Sequence, residues 1–516
     1  MAEESPNKRV AKNAIALTLR MALVTVVGLF TSRIVLEALG VGDYGIYGVV
    51  GGVVGMASFL NTSMAGATSR FITFELGKGN TAKLKNIFST ALIIHFIIAI
   101  IVVALAETVG LWFLNHKMVI PEDRMFAANV LYQFSVVSVI VGFTQVPYVA
   151  DIIAHEKMNI YAYFEIVNVV LKLAIVYLLL IVDTDRLILY GGLTFSVSII
   201  SAMFYRWYCI RKFPEARFST HFNRQTAKEM LKFSGFDLYG NLCVVAKTQG
   251  QPIVLNLFYG VVANAATSIA LTVAGAVSGL TTTVAQAFRP QIIKLYAKDD
   301  IQGMAEIMRQ SVVFTLLAFS SIAITVIVEA PGILYLWLGQ IPEYSVEFLR
   351  LILVASMFNI IVNCNNIAIH STGNIKYISF ISGTLYLFCP VGSYCIMKMF
   401  EGVAQTVYCV DIAMMSLVSL LGLFFIHKQI AAFPMKLYLL GILKCIMAVG
   451  VTLILVYTIK SKYFAYPHSH TAIESIGFTS VVFFSSILVL AIISLVLVLN
   501  KSERHWIYLK IHSKKG

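Results

Sequence analysis

The chain has 516 residues, 59% of them hydrophobic and only 13% charged, with a formal charge of +13 and a mean hydropathy of +0.83. A soluble globule of that length has nowhere to put so much apolar surface, so the bilayer is its solvent. The basic residues form no stripe interleaved with aromatics, which argues against nucleic acid, and the seven cysteines form no CxxC pair or Cys–His spacing, so neither a disulfide frame nor a zinc site is indicated.

A spanning helix needs roughly 20 mainly apolar residues. Fourteen such stretches are predicted, at 14–38, 44–72, 87–114, 126–153, 161–182, 186–210, 229–258, 261–289, 308–338, 346–370, 375–397, 402–427, 435–459 and 473–499. The first follows a basic N-terminus, yet it runs past Arg20 to Leu39 without a small-residue cleavage site and reads as a retained helix rather than a signal peptide. An even number of spans puts both termini on one side, and the positive-inside rule makes that side cytoplasmic. The bias is carried by separate loops: Lys78, Lys83 and Lys85; Arg211, Lys212, Arg217, Arg224 and Lys228; Arg289, Lys294 and Lys298; and a basic tail that touches membrane lipids. Asp43, Glu122, Asp123, Asp183, Asp185, Glu343 and Glu347 fall on the opposite side. The long link 211–228 reads as the joint between an N-terminal six-helix lobe (1–225) and a second one (226–427), with two further helices and the tail in 428–516.

The two lobes are related by an internal repeat. A shift of 220 residues brings Gly40 and Val41 onto Gly260 and Val261, and Gly55, Ser58, Leu60 and Thr62 onto Gly275, Ser278, Leu280 and Thr282. Glu107 and Gly110 meet Glu329 and Gly332 at a shift of 222, and His155 and Asn159 meet His370 and Asn374 at 215. Matches between Val- and Ala-rich helices arise by chance, but these keep their order along four successive segments and involve Gly, Glu and His. Two parallel six-helix bundles form a transporter architecture with its substrate site between the halves.

Ionisable groups within spanning segments are costly and mark cavities or ion pairs. They are Arg20 and Arg33 in segment 1, Glu165 and Lys172 in segment 5, Asp237 and Lys247 in segment 7, Asp411 in segment 12 and Lys444 in segment 13. Arg20 lies two turns inside its segment and is expected to face the cavity. Arg33 has Glu37 one turn on, so an intrahelical pair competes with substrate contact. For Lys172 a counter-ion role beside Glu165 and a substrate contact both stand. The run Lys247, Thr248, Gln249, Gly250, Gln251 and Pro252 predicts a bent or locally unwound helix lining a cavity, the alternative being a packing kink with Lys247 paired to Asp237 or Glu165.

Asn359, Asn363, Asn366 and His370 share one helical stripe, matched in segment 4 by Thr144, Tyr148, Asp151 and His155. Segments 2 and 8 add Ser58 and Thr62, with Ser278, Thr282 and Gln286. These stripes are expected to face a cavity, against interhelical hydrogen bonding as the plainer account. Asp151 and Asp237 are candidates for a coupling ion, H+ or Na+. His155 and His370 read as interfacial residues. No cofactor or metal is expected.

The segments TSRIVLEALGVGDYGIYGVV, SRFITFELGKGN, HEKMNIYAYFEIVN and TQGQPIVL resemble the polysaccharide-transport branch, which includes O-antigen flippases, of the multidrug/oligosaccharidyl-lipid/polysaccharide (MOP) exporter superfamily. The resemblance implies an all-α membrane protein with a MATE-like V of two six-helix bundles, located in the bacterial inner membrane and working by alternating access. It also implies an undecaprenyl-pyrophosphate-linked oligosaccharide as cargo and a polysaccharide polymerase or assembly proteins as partners. On that reading the protein is not an enzyme. The pyrophosphate is held by Arg20, Arg33, Lys172 and Lys247, and the glycan by Gln249, Gln251, Thr62, Thr282, Gln286, Asn359, Asn363 and Asn366.

A multidrug or cation exporter would need an acidic, aromatic cavity, against which these buried cations count. A peptidoglycan-precursor flippase is nearer, but its paired arginines are only partly matched, since Arg70 and Arg289 lie at segment ends. A membrane glycosyltransferase or polymerase would need catalytic groups in a large outer loop, and the loops here are short. No Walker motif occurs, so the energy comes from an ion or cargo gradient.

Overall fold

The structure is a computed structural model that describes the chain outside residues 1–5, 78–80, 156, 183, 218, 220, 221, 373–375, 401, 464–471, 501–503 and 505–516. Side chains of residues 6–26 and of some later helical positions, named below where they matter, are also outside the description. The described residues form helices and no strand. In chain order these are α1 (Pro6–Gly55), α2 (Ser58–Gly77), α3 (Thr81–Leu105), α4 (Leu111–His116), α5 (Met125–Ala154), α6 (Met158–Ile181), α7 (Arg186–Lys212), α8 (Arg224–Ala297), α9 (Ile301–Val328), α10 (Ala330–Leu338), α11 (Ser345–Thr372), α12 (Lys376–Phe400), α13 (Thr406–Gln429), α14 (Met435–Tyr463) and α15 (Ala472–Ile493).

Eleven described stretches are long and apolar enough to cross a bilayer. Two of them, Val27–Gly55 and Leu238–Gly279, run through backbone breaks at Gly40 and Gly260 and so overlie two expected segments each. The fifth expected segment coincides with a shorter apolar helix, Ile166–Ile181. Apolar surface on all sides of a helix is what lipid and neighbouring helices both accept, and it explains exposed residues such as Ile100, Leu180, Phe424 and Phe484.

The breaks fall where the repeat aligned. Gly40 (φ 76°, ψ 169°) and Gly260 (φ 70°, ψ −164°) occupy the same region of backbone space, one that only glycine enters cheaply. The second matched pair also interrupts a helix in both halves. Ala106–Gly110 is a π-turn, whose Ala106 carbonyl accepts from the Tyr132 hydroxyl at 2.8 Å, and α9 stops at Val328 with Glu329 capping the turn into α10. Gly110 leaves room for that tyrosine, because a Cβ there would meet the Tyr132 oxygen at 2.2 Å.

Close contacts divide the chain into two compact units. One comprises 1–269, 342–344 and 379–410; the other comprises 270–341, 345–378 and 411–516. In the first, the arm after Gly40 packs on the arm after Gly260 through glycine: a Cβ on Gly45 would lie 2.1 Å from the Val261 carbonyl oxygen, and one on Gly48 2.7 Å from Ser268 Oγ. Around this seam Ile46, Val49, Val50, Leu114, Leu131, Tyr132 and Leu187 form a dry core. In the second unit, Ile324, Val328, Val449, Val456, Val482 and Leu490 join α9, α14 and α15. Two of its buried charged groups are paired, Glu329 Oε1 with Lys460 Nζ at 3.0 Å and Arg309 with Glu306 at 2.7 Å.

The polar run of α8 corrects the expectation of local unwinding. Residues 247–252 keep a helical backbone, and the break comes eight residues later, at Gly260. Pro252 removes one backbone donor, and its own carbonyl is capped by the side-chain amide of Asn264 at 3.0 Å. Gly250 serves as a packing notch: a Cβ there would lie 3.0 Å from the Cβ of Pro390 in α12.

Candidate functional site

Three cavities adjoin one another within the first unit. The largest, about 690 Å³, is walled by α1, α5, α6 and α7. Its polar lining is Thr31, Ser32, Tyr44, Tyr47, Ser138, Gln145, Asn168, Lys172, Tyr190, Thr194, Ser198 and Ser201. A second, about 360 Å³, shares Tyr47, Ser138, Gly142, Thr194 and Ser198 with it and adds Asn61 and Ser135. A third, about 320 Å³, continues from Asn61, Gly142 and Gln145 to Ser69. Gly142 belongs to all three. The hydroxyls face the space at low cost because many, such as Ser138, Thr194 and Ser198, also donate to the carbonyl one turn back in their own helix.

Within the second unit a separate cavity of about 320 Å³ is lined by Arg289, Thr315, Asn363, Asn366 and His370 among apolar neighbours. The asparagine stripe of α11 therefore borders open space over three of its four members, and Asn359 is exposed. None of the described residues lining these four cavities is acidic, while Lys172 and Arg289 are cationic. Such a lining offers hydrogen-bond donors and fixed positive charge, which suits an anionic, hydroxyl-rich ligand and repels a cation.

The other expected site residues are dispersed. Arg33 is exposed on α1 and lines none of these cavities. Lys247 is half-buried, with its ammonium 5.7 Å from the ring centre of Tyr386. Gln249 lies against the α1 glycines, its side-chain amide 3.4 Å from where a Gly55 Cβ would be. Gln251 is buried, with an unpartnered Nε2. Asp411 is buried and Lys444 exposed. The side chains of Arg20, Thr62, Glu165, Asp237, Thr282 and Gln286 lie outside the described residues.

The α5 stripe turns away from the cavities. Thr144 accepts from Arg206 Nη2 at 2.5 Å, Tyr148 stacks edge-on against Phe88 and lies under the Arg206 guanidinium, and Asp151 is wholly buried. The cavity face of α5 is the next one round, Ser138, Val141, Gly142 and Gln145. Sequence reasoning passed over Arg206, six residues from the C-terminal end of α7, and the cavity residues Asn61, Gln145 and Asn168. A helical-face count that treated neutral Asn and Gln like charges would have found the last three.

Solved structures of low identity share this fold. The lipid II flippase MurJ in an inward closed conformation superposes with a TM-score of 0.70 at 13% identity, over 94% of this chain and 98% of that one. An inward-facing multidrug resistance MATE family transporter of the MOP superfamily gives 0.64 at 12%, over 81% and 98%. A MOP superfamily transporter from Pyrococcus furiosus, described as having a binding pocket of reversed polarity, gives 0.56 at 13%, over 83% and 97%. No curated protein sequence matches. The model of the polysaccharide biosynthesis protein family matches residues 10–296, more than half of the chain, and with that match the all-helical protein described above belongs to the polysaccharide biosynthesis family.

Proposed function

We propose that this protein is a flippase that carries an undecaprenyl-pyrophosphate-linked oligosaccharide across the bacterial cytoplasmic membrane by alternating access, for O-antigen or a related surface polysaccharide. The observation that carries the reading is the lining of the cavities: two cations, many neutral donors and acceptors and no acid among the described residues. The pyrophosphate needs fixed positive charge, and Lys172, an exposed side chain on the wall of the largest cavity, supplies it. The glycan needs neutral partners, of which Gln145, Asn168, Tyr44, Tyr190 and the α7 hydroxyls are the nearest. Arg20, Arg33, Lys247, Gln249, Gln251, Thr62, Thr282, Gln286, Asn359, Asn363 and Asn366 complete the proposed path. The lobes 1–225 and 226–427 are the proposed moving bodies, with 428–516 as an addition. Membership of a polysaccharide biosynthesis family supports the cargo class.

The test is genetic and chemical. Deleting the gene should leave a lipid-linked oligosaccharide on the cytoplasmic leaflet, and wild-type protein should clear it. Lys172→Gln should reach normal membrane abundance yet lower transport by about tenfold or more, as for a lost charge-assisted hydrogen bond, and Lys172→Arg should retain part of it. Undiminished transport by Lys172→Gln would remove this lysine from the path. Accumulation of the peptidoglycan precursor instead would reassign the cargo.

A further inference from the structure

Asp151, His155 and Glu215 meet outside the cavities, where the end of α5 touches the link after α7. His155 Nε2 lies 2.6 Å from Glu215 Oε1 and 3.8 Å from Asp151 Oδ1, and the three donor atoms fall within 4.8 Å of one another. From this convergence we propose a binding site for a divalent transition-metal ion, of the zinc class, formed by Asp151, His155 and Glu215.

The geometry is close to what such an ion needs. Tetrahedral coordination at about 2.0–2.2 Å sets neighbouring donors roughly 3.3–3.6 Å apart. The His155–Glu215 separation is shorter than that and the His155–Asp151 separation longer, so the side chains adjust by about 1 Å or less to admit the ion. The second observation is Asp151 itself. Its side chain has no solvent exposure, and neither carboxylate oxygen has a hydrogen-bond partner. A carboxylate in that state is expensive unless something positive completes it. Among the described residues the one ionisable group paired with Asp151 is His155, which also serves Glu215, itself buried. Two ionised carboxylates facing one imidazole would carry more negative charge than a protonated histidine neutralises; a divalent ion would balance it.

The donor set decides which ion. An imidazole nitrogen suits zinc, copper, iron or nickel and does not suit Na+ or Mg2+, which prefer oxygen ligands. Cys209 is near, but its thiol is turned to the Tyr148 carbonyl at 3.4 Å, so the ligands are one nitrogen and two carboxylates. Phe213 stacks on the histidine at 4.1 Å with rings 5° apart, which fixes the imidazole plane. His155 remains 23% exposed, which leaves the ion a way in. The ion ties the end of α5 to the turn Pro214–Ala216, in a link already held on α3 by Ser219 N–H donating to Ser89 Oγ and Asn223 N–H donating to Thr90 Oγ1.

The experiment uses full-length protein without a polyhistidine tag, purified in detergent, stripped with EDTA and titrated with Co2+ and then Zn2+. One equivalent of Co2+ should bind, giving visible d–d bands without a thiolate charge-transfer band. Zn2+ should displace it and raise the melting temperature. Asp151→Asn and Glu215→Gln should each weaken Zn2+ by more than the ~10–100-fold that losing an outer-sphere partner costs. His155→Gln keeps a donor for Glu215 while losing the nitrogen ligand, and it serves if a carboxylate variant does not fold. Absence of stoichiometric Co2+ binding by the folded wild-type protein overturns the site, as does a folded variant that binds with unchanged affinity. A thiolate charge-transfer band also overturns the assignment, because it would place the ion on a cysteine.

Discussion

Arg124 donates from Nε and Nη2 to Asp43 at 2.8 and 2.5 Å and from Nη1 to Asp185 at 2.7 Å, so one side chain fastens α1 and the N-terminus of α7 to the start of α5. Asp185 is also the N-cap of α7, accepting from the backbone N–H groups of Leu187 and Ile188. The Arg124 hydrogen bond comes first among the causes that hold the Asp185 carboxyl below its ordinary value, with the two backbone donors adding to it against some desolvation. A carboxylate whose pKa is lowered by folding adds stability above its unfolded value, near 3.9, and loses it as the pH falls through the folded value. Arg124→Ala should therefore cost about 1–3 kcal/mol at neutral pH, between exposed and buried pairs. In detergent, the gap in melting temperature between wild type and variant should be flat from pH 8 to 5 and narrow below about pH 4. A gap that widens in acid would contradict the assignment. The sequence placed Asp43 and Asp185 on one side of the membrane, but nothing in it joined them, because residues 43, 124 and 185 meet only through tertiary packing. Glu215 was hidden for the same reason: in a charged loop it reads as solvated, whereas folding of the link buries it.

At the scale of elements, the repeat was readable because its anchors are not interchangeable. Valine matches valine by chance, but Gly40 and Gly260 match because each must enter a region closed to other residues. Space is not the constraint at either position: a Cβ on Gly40 meets nothing within 4 Å, and one on Gly260 meets only Val119 at 3.8 Å. Gly40→Ala and Gly260→Ala should thus each destabilise by about 1–3 kcal/mol through the backbone alone. Gly275→Ala, in unbroken helix with open space around it, should be neutral or slightly stabilising. Thermal unfolding of the three purified variants checks this, and equal loss in all three would remove the backbone argument. The α8 run misled in the other direction. Gly and Pro close together suggested unwinding, yet glycine is also the residue that lets a neighbouring helix approach, and Pro390 fills that role. Composition alone does not separate the two uses. The α5 stripe was seen, but which neighbour it faces is a property of packing.

For the whole molecule, sidedness follows from the parity of crossings, and one helix decides it. On the expected topology the chain crosses once from Lys83 along α3 and α4, returns along α5 and crosses again along α6 before reaching Asp185. It then returns along α7 and makes two passes on either side of Gly260 in α8, ending beside Lys298. Lys83 and Lys298 are thus expected on one side, the cytoplasmic one by the lysine bias, and Asp185 on the other. The vulnerable step is α6, whose apolar core is only Ile166–Ile181. Its full 24 residues span about 36 Å at 1.5 Å each, enough for a hydrocarbon core of roughly 30 Å. In a cysteine-free background, single cysteines at 83 and 298 should resist a membrane-impermeant thiol reagent in intact cells and react once the cells are opened, while one at 185 should react at once. If α6 only lay along the surface, α7 and both arms of α8 would be inverted, and residue 185 would share the shielding of 83. Residue 298 would then label while 83 stays shielded, so residue 83 distinguishes a miscounted helix from a reversed orientation, in which 83 and 298 both label and 185 does not.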